Sequence, residues 1–330
     1  LADGRLVARV ALRGLLAPRA ASPDGTLVAL TAATVGEEPY RPAPRTRTTI
    51  VIVQAGGERT RIDLPGNLEP EAFSADGLRL FVLDYLPPTA PDRYRVRMLD
   101  LAQRSLLPLL TRAKSIVPAG AEEEMRGQGR QAVYDPRRQI LFTLYTHQPG
   151  HQHTRDLVPG ARPGAPHVHA FVHALSLRDQ WAYCIDLPAP FGAGPPGRHA
   201  IALSGDRRRL AVVEAGSGLV AAIDPDGLKV ASVDRFAPAA VAGHDAAARY
   251  LPDNALLVGA GREVVQVGPA GGVVRRWPAR SPVRGLALHP DGARVYVGQY
   301  DAVVCHDVAT GRELSRLPTP GLLGVQAALA

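Results

Sequence analysis

A short apolar strand, an Asp-centred tight turn and a second apolar strand recur along the length of this chain. The pattern appears as Ser22-Pro23-Asp24-Gly25 before Thr26–Leu30, and as Ser74-Ala75-Asp76-Gly77 before Leu78–Leu83. It returns at Tyr134-Asp135-Pro136, Ser204-Gly205-Asp206, Pro252-Asp253-Asn254 and His289-Pro290-Asp291-Gly292, each ahead of another apolar run. Asp accepts hydrogen bonds from nearby backbone N–H groups, and Gly supplies a positive φ, so each copy reads as a strand, a turn and a strand. Helical periodicity is absent over any dozen residues, whereas short apolar runs bounded by turn residues are everywhere. The 30 prolines and 33 glycines are scattered rather than clustered, which suits many short elements.

A second hairpin follows each of these. Val96–Leu101 leads to Ser105–Leu107, Val220–Asp224 passes through Asp226-Gly227 to Val230–Val233, and Val303–Asp307 passes through Thr310-Gly311 to Glu313–Ser315. The unit is therefore four strands. The turn aspartates are spaced 52, 59, 71, 47 and 38 residues apart. A four-stranded unit at roughly 40–50 residues marks the blades of a β-propeller. The two long spacings place insertions in blades two to four. We expect an all-β fold: one domain over residues 1–330, a seven-bladed propeller of four-stranded antiparallel blades. Six blades follow from the six aspartates. The seventh rests on the termini. Asp3–Val10 resembles the outer strand Thr310–Leu317, and Gly321–Leu329 resembles the inner strand Val283–Leu288, so the two ends would close the ring, with the middle of that blade not visible.

Pro290-Asp291-Gly292-Ala293-Arg294-Val295-Tyr296-Val297, followed by Val303–Asp307 and Thr310-Gly311, resembles the YVTN-type, WD-like propeller repeat. That repeat runs as a PDG turn, a strand ending in Tyr-Val, a strand ending in Asp and a Thr-Gly turn. The last blade matches best, Leu203–Val233 matches fairly, and blade three departs most. The Gly-His and Trp-Asp landmarks of true WD repeats are missing. The resemblance implies a propeller and no particular activity, since such propellers include binding proteins, surface proteins and a few enzymes.

Composition excludes several classes. The net charge is +7, but of 38 basic residues only Lys114 and Lys229 are lysines, a skew typical of a high-GC genome. The arginines alternate with apolar residues or sit in turns, unlike the concentrated basic and aromatic elements of nucleic-acid binders, so no nucleic-acid partner is expected. No apolar stretch reaches the ~20 residues that span a bilayer. Cys184 and Cys305 fall in different blades and read as separate buried thiols. The sequence opens on Leu1 within what reads as a strand hairpin, so we take it as part of a longer chain and expect an extracytoplasmic location and a monomer.

Six of the ten histidines fall in one segment: His147, His151, His153, His167, His169 and His173. On an extended strand, residues two apart share a face, so His167, His169, Phe171 and His173 would project together. A hairpin would bring His147, His151 and His153 opposite His167 and His169 across a Pro- and Gly-rich loop. Two His-x-His arms can supply three or four nitrogens to a transition metal, Zn or Cu. A polar patch for a partner, and histidines with only a structural role, remain open beside the metal reading. Asp156 is the nearest carboxylate for the surrounding shell.

The other candidates read as structural. Glu122-Glu123-Glu124 reads as a solvated loop or helical turn, because adjacent carboxylates do not converge on one ion. His244 and Asp245 point apart on extended chain. Ser217, in Gly216-Ser217-Gly218, lacks the spacing of a nucleophile elbow. Gly259-Ala260-Gly261 is no phosphate loop. Trp181 and Tyr183 read as packing between blades. Two functions follow. One is a non-enzymatic propeller whose loops near residues 84–95, 111–130 and 147–170 bind a protein or small molecule on one face. The alternative is a metal-dependent oxidoreductase or lactonase-like hydrolase at the central channel. Asn67 and Asn254 are the only asparagines, which argues against the lactonase version.

Overall fold

Alternation of apolar and polar residues, broken by Asp and Gly every few residues, can only bury its apolar side as short strands in small sheets. The computed structural model of the chain describes residues 10–33, 43–111, 122, 124–125, 128–146, 170–192, 194–237, 246–269 and 271–322. Six sheets form from strands taken in chain order. Blade one is β1 (Leu16–Ala21), β2 (Val28–Ala32), β3 (Arg47–Gln54) and β4 (Gly57–Pro65). Blade two is β5 (Asn67–Phe73), β6 (Arg79–Leu86), β7 (Arg93–Asp100) and β8 (Ser105–Pro108). After the short β9 (Leu110–Thr111), blade three is β10 (Gln128–Asp135), β11 (Ile140–Thr146), β12 (Ala170–Ser176) and β13 (Trp181–Asp186). Strand β9 adds to it in parallel beyond β13. Blade four is β14 (His199–Leu203), β15 (Leu210–Glu214), β16 (Leu219–Asp224) and β17 (Lys229–Arg235). Blade five is β18 (Ala247–Tyr250), β19 (Leu256–Ala260), β20 (Glu263–Val267) and β21 (Val273–Pro278). Blade six is β22 (Val283–Leu288), β23 (Arg294–Gln299), β24 (Ala302–Asp307) and β25 (Glu313–Pro318).

The period of two divides each strand between two cores. In β15, Leu210 and Val212 pack towards blade three, while Ala211 and Val213 pack towards blade five. In β12, Phe171 and Leu175 face blade two, while Val172 and Ala174 face blade four. Five such cores join blades one to six in succession. Blades buried on both faces in this way are the signature of a propeller rather than of separate sheets. Gly259 shows how close the seams run, since a Cβ there would lie 2.7 Å from Val283 of the next blade.

The aspartate turns behave as their chemistry requires. In all six, the Asp carboxylate accepts the backbone N–H two residues on, as from Thr26, Leu78, Arg137, Arg208, Ala255 and Ala293. Ser22, Ser74 and Ser204 each donate a hydroxyl to that carboxylate and accept the N–H five residues later. The left-handed position after the Asp is Gly25, Gly77 and Gly292 in three blades, but Arg207 (φ 63°) and Asn254 (φ 65°) in two others.

Two expected loops are shorter than the sequence implied. The stretch 84–95 is mostly strand, because β6 and β7 pair from Arg79 with Asp100 to Leu86 with Arg93 and leave only residues 87–92 as the connection. The stretch 111–130 yields its ends to β9 and β10. Cys184 on β13 and Cys305 on β24 are free, buried and in different blades. Of the terminal segments expected to form a seventh blade, Asp3–Val10 and Gly321–Leu329, only Val10, Gly321 and Leu322 fall within the described residues, and none of these three is in a strand.

Candidate functional site

Meandering four-stranded blades send their connections to two ends. The first and third connections of each blade are the tight Asp turns and their Thr-Gly-like counterparts, and they make one face. The second connection and the link to the next blade emerge at the other face. That face receives residues 87–92, 187–198 and the ends of the stretches 112–127, 147–169 and 238–245. The roots of the long segments therefore all lie on one side of the frame, the side on which loops can build a recognition surface.

Beneath this loop face, blades two and three meet in an aromatic stack. Tyr94 of β7 lies on Tyr145 of β11 with ring centroids 5.4 Å apart, and Tyr145 lies on Phe171 of β12 at 5.3 Å. Tyr85 meets Tyr94 edge-on at 5.7 Å. Such stacks add to area burial and hold a local geometry firmly. His173 joins the same group, edge-on to Tyr145 at 6.2 Å and only 1% exposed. Its neighbours across the sheet are Thr143 on β11 and Cys184 on β13.

Glu71 enters this group from the inner strand of blade two. A bulge between Pro70 and Ala72 turns it out of register. The residue is half-buried, but its carboxyl end is covered. Tyr145 Oη donates to Glu71 Oε1 at 3.0 Å, and Thr143 Oγ1 donates at 3.4 Å. Burial raises the Glu71 carboxyl to about 7, against the lowering effect of those two hydrogen bonds and with a further push from Glu69. Burial, with the nearby Glu71 charge, also holds the Tyr145 phenol well above its usual value. Glu71 thus presents a carboxyl that gains and loses its proton near neutrality.

Of the expected metal ligands, only His173 falls within the described residues. His147, His151, His153, His167 and His169 lie outside them, as do Asp156, His244 and Asp245. The flanks of the histidine segment are placed, however. Strands β11 and β12 pair antiparallel with Thr146 opposite Ala170, so the segment is carried on a hairpin of blade three. Among the described residues, no three His, Cys, Asp or Glu side chains are grouped to hold a metal ion.

The acidic run is more ordered in its contacts than a solvated loop. Glu122 pairs with Arg95 at 2.7 Å and Arg97 at 3.1 Å, and Glu124 pairs with Arg93 at 2.8 Å. Arg95 also holds Asp84 at 3.0 Å. Met125 then bridges Tyr94 through backbone hydrogen bonds, so this connection is strapped along β7 where β8 no longer covers it. Ser217 donates to Glu214 in a hairpin turn, as its spacing implied. Asn67 donates to the carbonyls of Ala43 and Pro88, and Asn254 fills a left-handed turn, so both asparagines are structural. At the channel, Gln131 of β10 donates to Ala246 O at 2.6 Å and accepts from Ile201 N at 3.2 Å, tying three blades together. Sequence reasoning missed Glu71. Its signal was Glu69-Pro70-Glu71, two carboxylates in the middle of the inner strand Asn67–Phe73.

Fold and site together define a β-propeller of WD-like, four-stranded blades. No family model matches the chain, and no curated protein matches it. Solved structures do. A β-propeller domain of Cps50 (Swd1) from Myceliophteria thermophila is similar over 96% of this chain and 90% of that one, with a TM-score of 0.51 and 14% identity. Hydrazine synthase from Kuenenia stuttgartiensis is similar over 98% of this chain and 92% of that one, with a TM-score of 0.53 and 15% identity. At such identities the likeness establishes the fold alone. No helix among the described residues is long and apolar enough to cross a membrane.

Proposed function

We propose that this chain is a non-enzymatic binding propeller whose loop face, at blades two and three, holds a protein or small-molecule partner. The observation that carries the reading is the root of the histidine hairpin. Its two arms leave the sheet side by side at Thr146 and Ala170, directly above the Tyr94–Tyr145–Phe171 stack. A rigid base under a long histidine-bearing connection is how propellers build contact surfaces. The arms supply the ligands of one transition-metal ion, Zn or Cu, through His147, His151, His153, His167 and His169, with His173 buried beneath them. Elemental analysis of the purified, metal-loaded chain tests this: we expect about one ion per chain, released by changing His167 and His169 together to Ala. Metal at background level under every loading condition overturns it.

The same reading includes seven blades of the YVTN type. No hydrophobic core joins blade six to blade one among the described residues, yet their outer faces are covered. Leu30 and Val51 of blade one are 8% and 0% exposed, and Ala287 and Cys305 of blade six are 1% and 6% exposed. These side chains point away from the cores shared with blades two and five. A seventh blade, to which the terminal segments Asp3–Val10 and Gly321–Leu329 would each contribute one strand and whose middle is not visible in the sequence, is the partner that these two apolar faces call for.

A further inference from the structure

One pair of side chains recurs in the outer hairpins of the blades. Ile50 stands opposite Ile62 in blade one, Val172 opposite Ile185 in blade three, Val264 opposite Trp277 in blade five and Val303 opposite Leu317 in blade six. In blade four the same register sets Val220 opposite Asp234. In blades one, four, five and six the pair lies two residues before the bulge of that hairpin, so the positions correspond. Ile62, Ile185 and Trp277 are 2%, 2% and 6% exposed, and each packs into the core shared with the next blade. The seam between two blades widens outward, and a close-packed interior needs a large apolar side chain there. Blade four brings a short, exposed carboxylate instead.

The glycines of the following blade mark the same place. A Cβ on Gly311 would lie 3.3 Å from the Trp277 ring, and one on Gly271 would lie 3.7 Å from the Asp234 Cβ. Where Trp277 fills the seam between blades five and six, the seam between blades four and five holds a cavity of about 370 Å³ with Asp234 in its lining. Val220, Leu256 and Val267 give this cavity apolar walls, and Tyr250 adds a half-buried phenol ring. Asp224 and Asp234 balance Arg208 and Arg209 around it, so the lining favours neither an anion nor a cation. Asp234 accepts the Ser232 hydroxyl at 3.0 Å, and a carboxylate has lone pairs for a further donor. A cavity of about 310 Å³ between blades three and four differs in kind, since Arg138 holds Asp226 across that seam and Trp181 forms part of the wall.

We infer that the cavity between blades four and five binds a small neutral aromatic molecule of the indole class, its ring against Val220, Leu256 and Val267 and its ring N–H donated to Asp234. Such a molecule supplies from solution the apolar bulk that Ile62, Ile185 and Trp277 supply from within their own blades. The volume falls in the range of small-molecule sites, which pair apolar walls with a few polar groups that fix orientation. Aromatic rings with one polar edge suit that pairing. The cavity opens at the tight-turn end of the blades, opposite the end where Thr146 and Ala170 lie, so its fate is separate from that of the metal reading.

Calorimetric titration of the full chain with indole, N-methylindole, anionic indoleacetate, cationic tryptamine and N-acetyltryptophanamide tests the inference. The expected result is saturable one-site binding of indole, with N-methylindole weaker by about tenfold, the loss of one charge-assisted hydrogen bond. Asp234→Ala weakens indole by a similar factor and leaves N-methylindole unchanged. Asp234→Trp fills the cavity from within, which abolishes indole binding and raises the melting midpoint by about 2 °C. Asp63→Ala, at an exposed carboxylate of blade one, leaves indole binding unchanged. Absence of saturable indole binding at millimolar concentration, undiminished binding by a folded Asp234→Trp chain, or equal affinity for N-methylindole overturns the inference. Tighter binding of either charged probe also overturns it, and tighter binding of N-acetyltryptophanamide overturns it in favour of a protein side chain.

Discussion

Glu71 is the residue whose chemistry most departs from its surroundings. Buried among aromatic rings, its carboxyl keeps a proton in the folded chain up to about pH 7, whereas the unfolded chain releases it near 4.5. Folding is therefore favoured by acid at this site. The stabilisation is complete below about pH 4.5 and is lost as the pH rises through about 7. The gap corresponds to about 3 kcal/mol between those limits. Glu71→Gln keeps an acceptor for Tyr145 and removes the titration. We expect denaturant melts of this variant to lose that fall in stability between pH 5 and pH 8, and the variant to exceed the parent chain at pH 8. Arg138 offers a second test. It holds the fully buried Asp135 at 2.6 Å, Asp226 of the next blade at 2.7 Å and the carbonyl of Arg207 at 2.7 Å. Asp135→Ala leaves that guanidinium without its buried partner and removes a turn acceptor, so a loss of about 3 kcal/mol in chemical denaturation is expected.

Elements built on one turn chemistry should respond to that chemistry. Arg207 occupies the left-handed position that glycine fills in three sister turns, at φ 63°. Its side chain takes no part in the turn, so Arg207→Gly should raise stability by about 1 kcal/mol, read as a higher midpoint in denaturant. The β11–β12 hairpin should tolerate more. Because Thr146 faces Ala170, replacing residues 147–169 with a short Asn-Gly turn should keep the far-UV spectrum and shift the melting midpoint by only a few degrees. The same variant should lose metal. These elements were legible in the sequence because a turn aspartate and its following apolar run are local signals. The Glu71 site was not, because it joins an inner-strand bulge of blade two to a tyrosine of blade three, 74 residues away. The pairing of Glu122 with Arg95 and Arg97 was hidden for the same reason: adjacent carboxylates look solvated until the strand beside them is known. The loop at 84–95 was over-read, since Pro87 and Pro88 interrupt the pattern although strand pairing runs up to Leu86 and resumes at Arg93.

At the scale of the whole molecule, the ring is a division of labour between two faces. Tight Asp turns close one face. The roots of the long connections lie at the other, where the Tyr94–Tyr145–Phe171 stack sits. The central claim is that the second face belongs to a closed, seven-bladed frame and carries a metal-holding histidine hairpin. A crystal structure of the Zn- or Cu-loaded full chain, with anomalous data collected at the absorption edge of that metal, tests both parts together. The account predicts seven sheets around the channel and one anomalous peak among His147, His151, His153, His167 and His169. Six sheets with a gap between Val51 and Cys305, or no peak on the histidine hairpin, would contradict it.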